Sequence, residues 1–314
     1  MKSQNKKIGE GPSSELVEAR LVLARKIAAH HPAEGDEATA IPGLKLYRRT
    51  APTTCTSAAY EPTLIVYAQG EKRVNVGGQT FLVDQSTCQL TSVDIPIISE
   101  VTRASREEPI LALVLNLEMP LIREILSNEE FHLPAASSGA RGVAIGKTPL
   151  DILQACSRLL DLLDTPRDIP FLGNLMKREI VYRLLRGPLG MNLCAIATLG
   201  DQSNRTAKAV AWLKANYDKP LSVEQLASVA QMGVSTLHHH FRTLTSMSPL
   251  QYQKRLRLHT ARLLMVAGEL DAASAAFEVG YESASQFSRE YRRLFGLPPM
   301  RDVKTRMLTG DSAA

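Results

Sequence analysis

Fifty residues apart, two short stretches near the C-terminal end of this 314-residue sequence offer the same kind of surface chemistry. The first carries Ser235, Thr236, His238, His239 and Arg242; the second carries Ser285, Gln286, Arg289, Arg292 and Arg293. Guanidinium and carboxamide groups make paired hydrogen bonds to guanine and adenine edges, and hydroxyls bond phosphate oxygens. The second stretch is the more basic, which makes it the stronger candidate for reading bases. The run His238-His239-His240 does not form a metal site: successive helical residues point about 100° apart, and Arg242 stands where a second ligand at i+4 would be needed. Residues 1–200 contain only His30, His31 and His132, with no His-x-His, so a metal-dependent catalytic barrel is not expected. No catalytic residue, metal or other cofactor is predicted.

The elements that must present these side chains are helices. Ser222 reads as an N-cap with Gln225 at the reciprocal position, opening a helix over 223–231 with Leu226 and the small Ala227. Met232-Gly233-Val234 is a short turn, and a second helix from Ser235 to Thr245 turns Leu237, Phe241 and Leu244 inward. A small residue at the crossing, a three-residue turn with glycine and an amphipathic helix make a helix-turn-helix. The device recurs: Asp271 to Val279 with Ala276 at the crossing, Gly280 in a turn one residue longer, Ser283 as a cap, then Phe287, Tyr291 and Leu294 inward. These match Leu237, Phe241 and Leu244 at a constant offset of 50. Duplication is far more specific than one copy. Pro249 to Val266 between them reads as a helix of roughly 27 Å, long enough to hold both outer helices near successive major-groove faces about 34 Å apart. A preceding helix over 206–217 turns Val210 and Leu213 inward.

The first two thirds have another texture. A helix is predicted over 14–29, stopped by Pro32. Short runs at Leu64–Ala68, Lys72–Val76, Gln79–Val83, Ile97–Arg103 and Leu111–Leu115 read as strands, with Gly77-Gly78 as a tight hairpin. Strands this short and close predict an antiparallel barrel or sandwich. Helical spacing returns after Thr148-Pro149, read as N-cap and first helical position. Ile152, Cys156, Leu159, Leu160 and Leu163 make one stripe; Leu172, Leu175, Met176, Ile180 and Leu184 make a second. These stripes either pack on the barrel or form a homodimer seam within residues 148–186. Residues 187–204, rich in Gly, Asn, Thr and Ser, read as a connector.

Lys and Arg number 37 against 32 Asp and Glu, a net charge of +5, and all of the excess lies in residues 201–314. A neutral part joined to a basic one points to a polyanion meeting only the second. No run free of Asp, Glu, Lys and Arg reaches the roughly 18–20 apolar residues a membrane span needs; Gly187 to Gly200 is short and broken by Gly and Pro. With a polar, basic N-terminus and no signal-like segment, the expectation is a soluble cytoplasmic chain with no membrane partner. Cys55, Cys88, Cys156 and Cys194 show neither close pairing nor Cys-x-x-Cys. Cys55 or Cys88 is either a redox or electrophile sensor or an inert buried thiol. Tyr67, Lys72 and Arg73 are candidate ligand contacts: Lys72 and Arg73 either meet an anionic effector or form a solvated hairpin end.

Leu226-Ala227, Val234 to Phe241, Ser248-Pro249-Leu250-Gln251-Tyr252, Gly280 to Arg289 and Phe295-Gly296-Leu297-Pro298-Pro299 together resemble the AraC/XylS family over about residues 205–302. Val66 to Lys72 and Ser92-Val93-Asp94-Ile95-Pro96 are similar to the cupin-type sensor domain of one branch. Two departures stand out: His239 occupies a position where many members have Arg, and Met300-Arg301 replaces the usual aromatic. The resemblance implies an α+β chain. An N-terminal cupin-like β-barrel with flanking helices (1–190), binding a small effector and dimerising, is followed by a linker (191–204). An all-α DNA-binding domain with two helix-turn-helix motifs (205–308) completes it. Its partners would be promoter DNA, an unidentified small molecule, RNA polymerase and a second copy of the chain. The competing reading is a small-molecule-binding or catalytic barrel whose helical part makes only non-specific nucleic-acid or protein contacts.

Overall fold

Alternating apolar residues build two facing sheets, and helical stripes then cover one of them. The computed structural model describes residues 13–53, 56–128, 131 and 140–309. Helix α1 (Ser14–His30), capped by the Ser13 hydroxyl, precedes strands β1 (Gly35–Ala38), β2 (Leu44–Arg49), β3 (Thr56–Tyr60), β4 (Thr63–Gln69), β5 (Glu71–Val76), β6 (Gln79–Asp84), β7 (Thr87–Thr91), β8 (Ile95–Arg103) and β9 (Ile110–Asn116). Then come α2 (Met119–Leu126), β10 (Val143–Lys147), α3 (Leu150–Asp161), α4 (Ile169–Arg186) and α5 (Gly190–Ala197). The C-terminal helices are α6 (Gln202–Ala215), α7 (Val223–Ala230), α8 (Val234–Thr245), α9 (Pro249–Val266), α10 (Ala272–Glu278), α11 (Ala284–Phe295) and α12 (Pro299–Thr309).

The strands pair antiparallel in two sheets, ordered β1-β2-β9-β4-β7-β10 and β3-β8-β5-β6. The α+β expectation holds, but the barrel is not closed: no ladder joins the two sheets among the described residues, so the domain is a sandwich. The Gly77-Gly78 hairpin is as expected, with φ of 59° and 95° joining Val76 to Gln79. Both angles suit a two-residue turn whose twist matches its strands. On the outer face of the larger sheet, Leu64, Val66, Leu90, Leu113 and Leu115 pack against α1, α3, α4 and α5 in one apolar core.

Several local expectations are corrected. Helix α3 starts at Leu150, and Pro149 rather than Thr148 is its N-cap, with an extended ψ of 153°. In α4 the buried face is Lys177, Ile180, Val181, Leu184 and Leu185. Leu172 and Leu175 face solvent instead, because α3 and α5 pack on the opposite side of the helix. The stripes of Leu159, Leu160, Ile180 and Leu184 therefore pack inward rather than forming a seam. The Gly- and Asn-rich segment expected as a linker contains α5, whose Leu193, Cys194, Ile196 and Ala197 are buried. Small residues here permit close packing rather than flexibility.

A second core fuses the two halves of the chain. Ile65, Tyr67, Val74, Val76, Ile95 and Ile97 lie between the sheets. The same apolar cluster continues into Leu213, Leu226, Leu237, Phe241, Leu244 and Tyr252 of the helical part. The contact is specific. Lys214 Nζ lies 2.5 Å from an Asp94 carboxylate oxygen and 3.2 Å from Glu61. The Tyr252 hydroxyl donates to the Asp94 carbonyl at 2.9 Å, and the Gly142 amide donates to the Leu244 carbonyl at 2.7 Å. A Cβ on Gly142 would meet Leu244 O at 2.8 Å and one on Gly77 would meet Ser246 O at 2.2 Å. Gly142→Ala is therefore expected to loosen the end of α8 from the sandwich at a cost of about 1–3 kcal/mol. Hydrogen exchange of the amides of residues 244–247 checks it: unchanged protection would refute the clamp.

Candidate nucleic-acid interface

The first helix-turn-helix forms as its sequence dictates. The Ser222 hydroxyl accepts from the Gln225 amide at 3.2 Å, but the reciprocal bond from the Gln225 side chain is not made. The full capping box belongs to α9, between Ser248 and Gln251. Ala227 is buried at the crossing, and Leu237, Phe241 and Leu244 point into the core. With these inward, Ser235, Thr236, His238, His239 and Arg242 are exposed on the other side of α8. His240 is half-buried, and its ring meets that of His239 edge-on at 5.2 Å.

The second copy follows the same plan. Asp271 caps α10 through the amides of Ala273 and Ser274, and Ser283 caps α11 through Gln286. Ala276, Phe287 and Tyr291 are fully buried. Leu294 is only half-buried, and Phe295 takes the third inward place that the spacing assigned to Leu294. Ser285, Gln286, Arg289, Arg292 and Arg293 are exposed along the outer face. The Gln286 carboxamide donates to Glu290 at 3.2 Å, which fixes its orientation. No hydrogen bond or ion pair engages the guanidinium of Arg289, Arg292 or Arg293 among the described residues. Three cations on one exposed face, without carboxylate partners, form a surface suited to phosphates and base edges.

The second head is held by a buried charge cluster that spacing does not reveal. Arg262 of α9 grips Asp302 of α12 through Nε at 2.7 Å and Nη2 at 2.6 Å. The Tyr291 hydroxyl donates to the same carboxylate at 2.7 Å. Burial alone would raise the Asp302 pKa, but the Arg262 and Tyr291 hydrogen bonds outweigh it and hold the carboxyl below its usual range. His259, buried beside Arg262 and Arg306, is pushed down to about 4, chiefly by desolvation.

Of the candidate ligand contacts, the structure separates what the sequence put together. Lys72 shares the inward face of β5 with Val74 and Val76, and its Nζ lies 4.6 Å from the Tyr47 ring centroid. Arg73 points outward and pairs with Glu100. Tyr67 is buried between the sheets, its hydroxyl 3.4 Å from Gln89. Tyr47, Ala112 and Tyr67 are in register across β2, β9 and β4, so the small Ala112 sits between two tyrosines on the face toward Lys72. The Cys88 thiol is buried and pushed up to about 11 by desolvation, which keeps it protonated and inert. Cys55 and His132 lie outside the described residues. No group of three or more His, Cys, Asp or Glu suited to a metal occurs among the described residues, and none of their helices is long and apolar enough to cross a membrane.

A duplicated helix-turn-helix mounted on one long helix and packed against a two-sheet domain is the architecture of a two-domain regulator. A model of the AraC-type transcriptional regulator N-terminus matches residues 40–192, and a helix-turn-helix domain model matches residues 226–304. The two matched regions are those of an AraC-type regulator with an N-terminal sensor domain. It is 26% identical over 148 residues to the HTH-type transcriptional regulator ArgR of Pseudomonas aeruginosa, covering 47% of this chain and 45% of that one. It is 29% identical over 155 residues to the HTH-type transcriptional activator RhaS of Escherichia fergusonii, covering 48% and 54%. The chain thus matches about half the length of these relatives. The fold is similar to that of ToxT from Vibrio cholerae, solved with an unsaturated fatty acid bound, with a TM-score of 0.53 and 11% identity over 83% of this chain and 94% of that one.

Proposed function

We propose that this chain regulates transcription in the cytoplasm by sequence-specific binding of duplex DNA through two reading heads, and that a small molecule bound between its sheets modulates that binding. The observation that carries the reading is the pair of exposed faces on α8 and α11, each backed by a buried apolar side. Ser235, Thr236, His238, His239 and Arg242 serve the first head; Ser285, Gln286, Arg289, Arg292 and Arg293 serve the second. Lys72 and Tyr67, with Tyr47 beside them, suit an anionic effector; Arg73, outward and paired, is not part of that site. The test is selection of bound fragments from genomic DNA by the purified chain, followed by footprinting at several salt concentrations. Two protected half-sites and a steep loss of affinity with salt are expected; uniform, sequence-independent protection would favour a non-specific helical module.

The reading includes a homodimer, on a different face from the stripes that pack inward. Phe171, Leu175 and Tyr182 form an exposed apolar row on α4. Leu175 and Tyr182 border a groove of about 440 Å³ with Ile125 and Phe131. Charges along this face are already neutralised, Arg178 by Glu124 at 2.6 Å and Glu179 by Arg158 and Arg183, so a partner would cover apolar surface at little electrostatic cost. Sedimentation is expected to show a dimer that Leu175→Glu converts to monomer; an unchanged mass would exclude this face.

A further inference from the structure

We infer that Arg257 sets the distance and angle between the two reading heads, and thereby the half-site spacing that the chain accepts; the inference rests on the two-headed reading above. Helix α9 alone would fix only the separation of its ends. Each head joins it through a short segment, Ser246-Met247-Ser248 on one side and Ala267 to Asp271 on the other, and both segments contain a residue with positive φ. A stiff rod with two swivels would tolerate many spacings.

Arg257 sits midway along the rod and removes that freedom. Its Nε donates to the Tyr217 carbonyl at 2.7 Å, and Nη2 to those of Asp218 at 3.0 Å and Lys219 at 2.9 Å, in the loop that enters the first helix-turn-helix. Its Nη1 donates to the Gly280 carbonyl at 2.6 Å, in the turn of the second. One planar group thus ties four backbone carbonyls from both heads. The two backbones touch there: a Cβ on Gly280, at φ 85°, would lie 2.0 Å from the Asp218 carbonyl oxygen. Gln253 adds bonds to the Tyr217 and Lys219 carbonyls at 3.0 and 2.7 Å, and Lys254 holds Glu290 of α11 at 2.7 Å.

The repeat itself separates this role from that of a core residue. Inward residues recur at an offset of 50, whereas the position 50 before Arg257 is Ala207. Arg257 therefore belongs to the joint and not to the repeated motif. Only a rigid fork can serve carbonyls on two sides at once; a lysine ammonium, a point charge on a flexible stem, cannot hold the same geometry.

The test uses the full chain and duplexes selected from a random-sequence pool by the parent protein. The selected half-sites are then re-spaced by one to three base pairs, and each is also presented alone. For the parent, a two-base-pair change is expected to cost about tenfold or more in affinity, comparable to one mismatched base pair. In Arg257→Lys and Arg257→Met that penalty is expected to shrink to about threefold or less, while binding to a single half-site matches the parent. If Arg257→Met does not fold, Arg257→Lys decides. A spacing penalty equal to the parent's, or a loss of affinity that is the same at every spacing, would overturn the assignment. If the parent selects no sequence at all, the two-headed reading itself fails.

Discussion

Arg289→Ala is expected to cost about 1–3 kcal/mol of discrimination between a selected site and random DNA, the worth of one bidentate base contact. Arg289 stands one turn into α11, after Ser285 and Gln286, where a recognition helix entering the major groove meets base edges. Its guanidinium is exposed and engages no carboxylate among the described residues, so the substitution removes a bond to DNA without leaving a buried partner unpaired. Arg292 and Arg293 lie further along the helix, in its last turn, where the phosphate backbone is closer. Their replacement should weaken specific and random DNA alike and lower the salt slope by about one for each phosphate no longer neutralised. Competition titrations at matched salt distinguish the two outcomes. If Arg289→Ala keeps the parental preference while Arg293→Ala loses it, the roles along the helix are reversed.

The second large effect concerns stability. Asp302→Ala leaves Arg262, only 2% exposed, without its carboxylate, and removing one partner of a buried pair typically costs about 3–5 kcal/mol. The loss should be confined to the second head, whose core around Phe287, Tyr291 and Val303 is a separate cluster. Hydrogen exchange in α11 should rise while that in β4 and β9 does not. The same cluster gives a pH dependence. His259 is held down to about 4 when folded, so the unfolded chain binds more protons between its ordinary value near 6.5 and pH 4. Stability is therefore full above pH 6.5 and falls as pH drops toward 4, by roughly 3 kcal/mol. The Asp302 carboxyl, held low, keeps its contribution above the ordinary aspartate range and loses it as pH falls below. A second head whose unfolding free energy is flat from pH 7 to pH 4.5 would refute the assignment for His259.

The helical third was the most legible part of the sequence because its signals are local. Caps at Ser222 and Ser283, the small Ala227 and Ala276, and aromatic or aliphatic residues at helical spacing each act within a few residues. The constant offset of 50 then tests one copy against the other. The sheet was only partly legible. β4, β5, β6, β8 and β9 alternate or run apolar and were located; β1 and β10 have half-exposed faces that look like loop, and β7 has Gln89 and Thr91 buried where polar residues usually signal surface. The pairing partners of β7 and β10 lie far along the chain. The split between Lys72 and Arg73 depends on strand register, which no local pattern sets. The clamp on α8 and the Arg257 joint involve backbone carbonyls, whose positions leave no trace in residue identity. The structure shows that Gly142 and Gly280, the latter read only as part of a turn, stand at those close approaches.

The core shared by the sandwich and the first helix-turn-helix bears on how such chains can be recombined. A hybrid that joins this sensor to another protein's helices at residues 191–204 would cut through that shared packing and set Gly77, Asp94 and Gly142 against helices that lack this chain's Ser246, Tyr252 and Leu244. A graft keeping everything through the first half of α9, and exchanging only the half that follows, would preserve it. The seam for modular engineering therefore runs between the two heads rather than between sensor and helices, and a graft there must restore the Arg257–Gly280 contact.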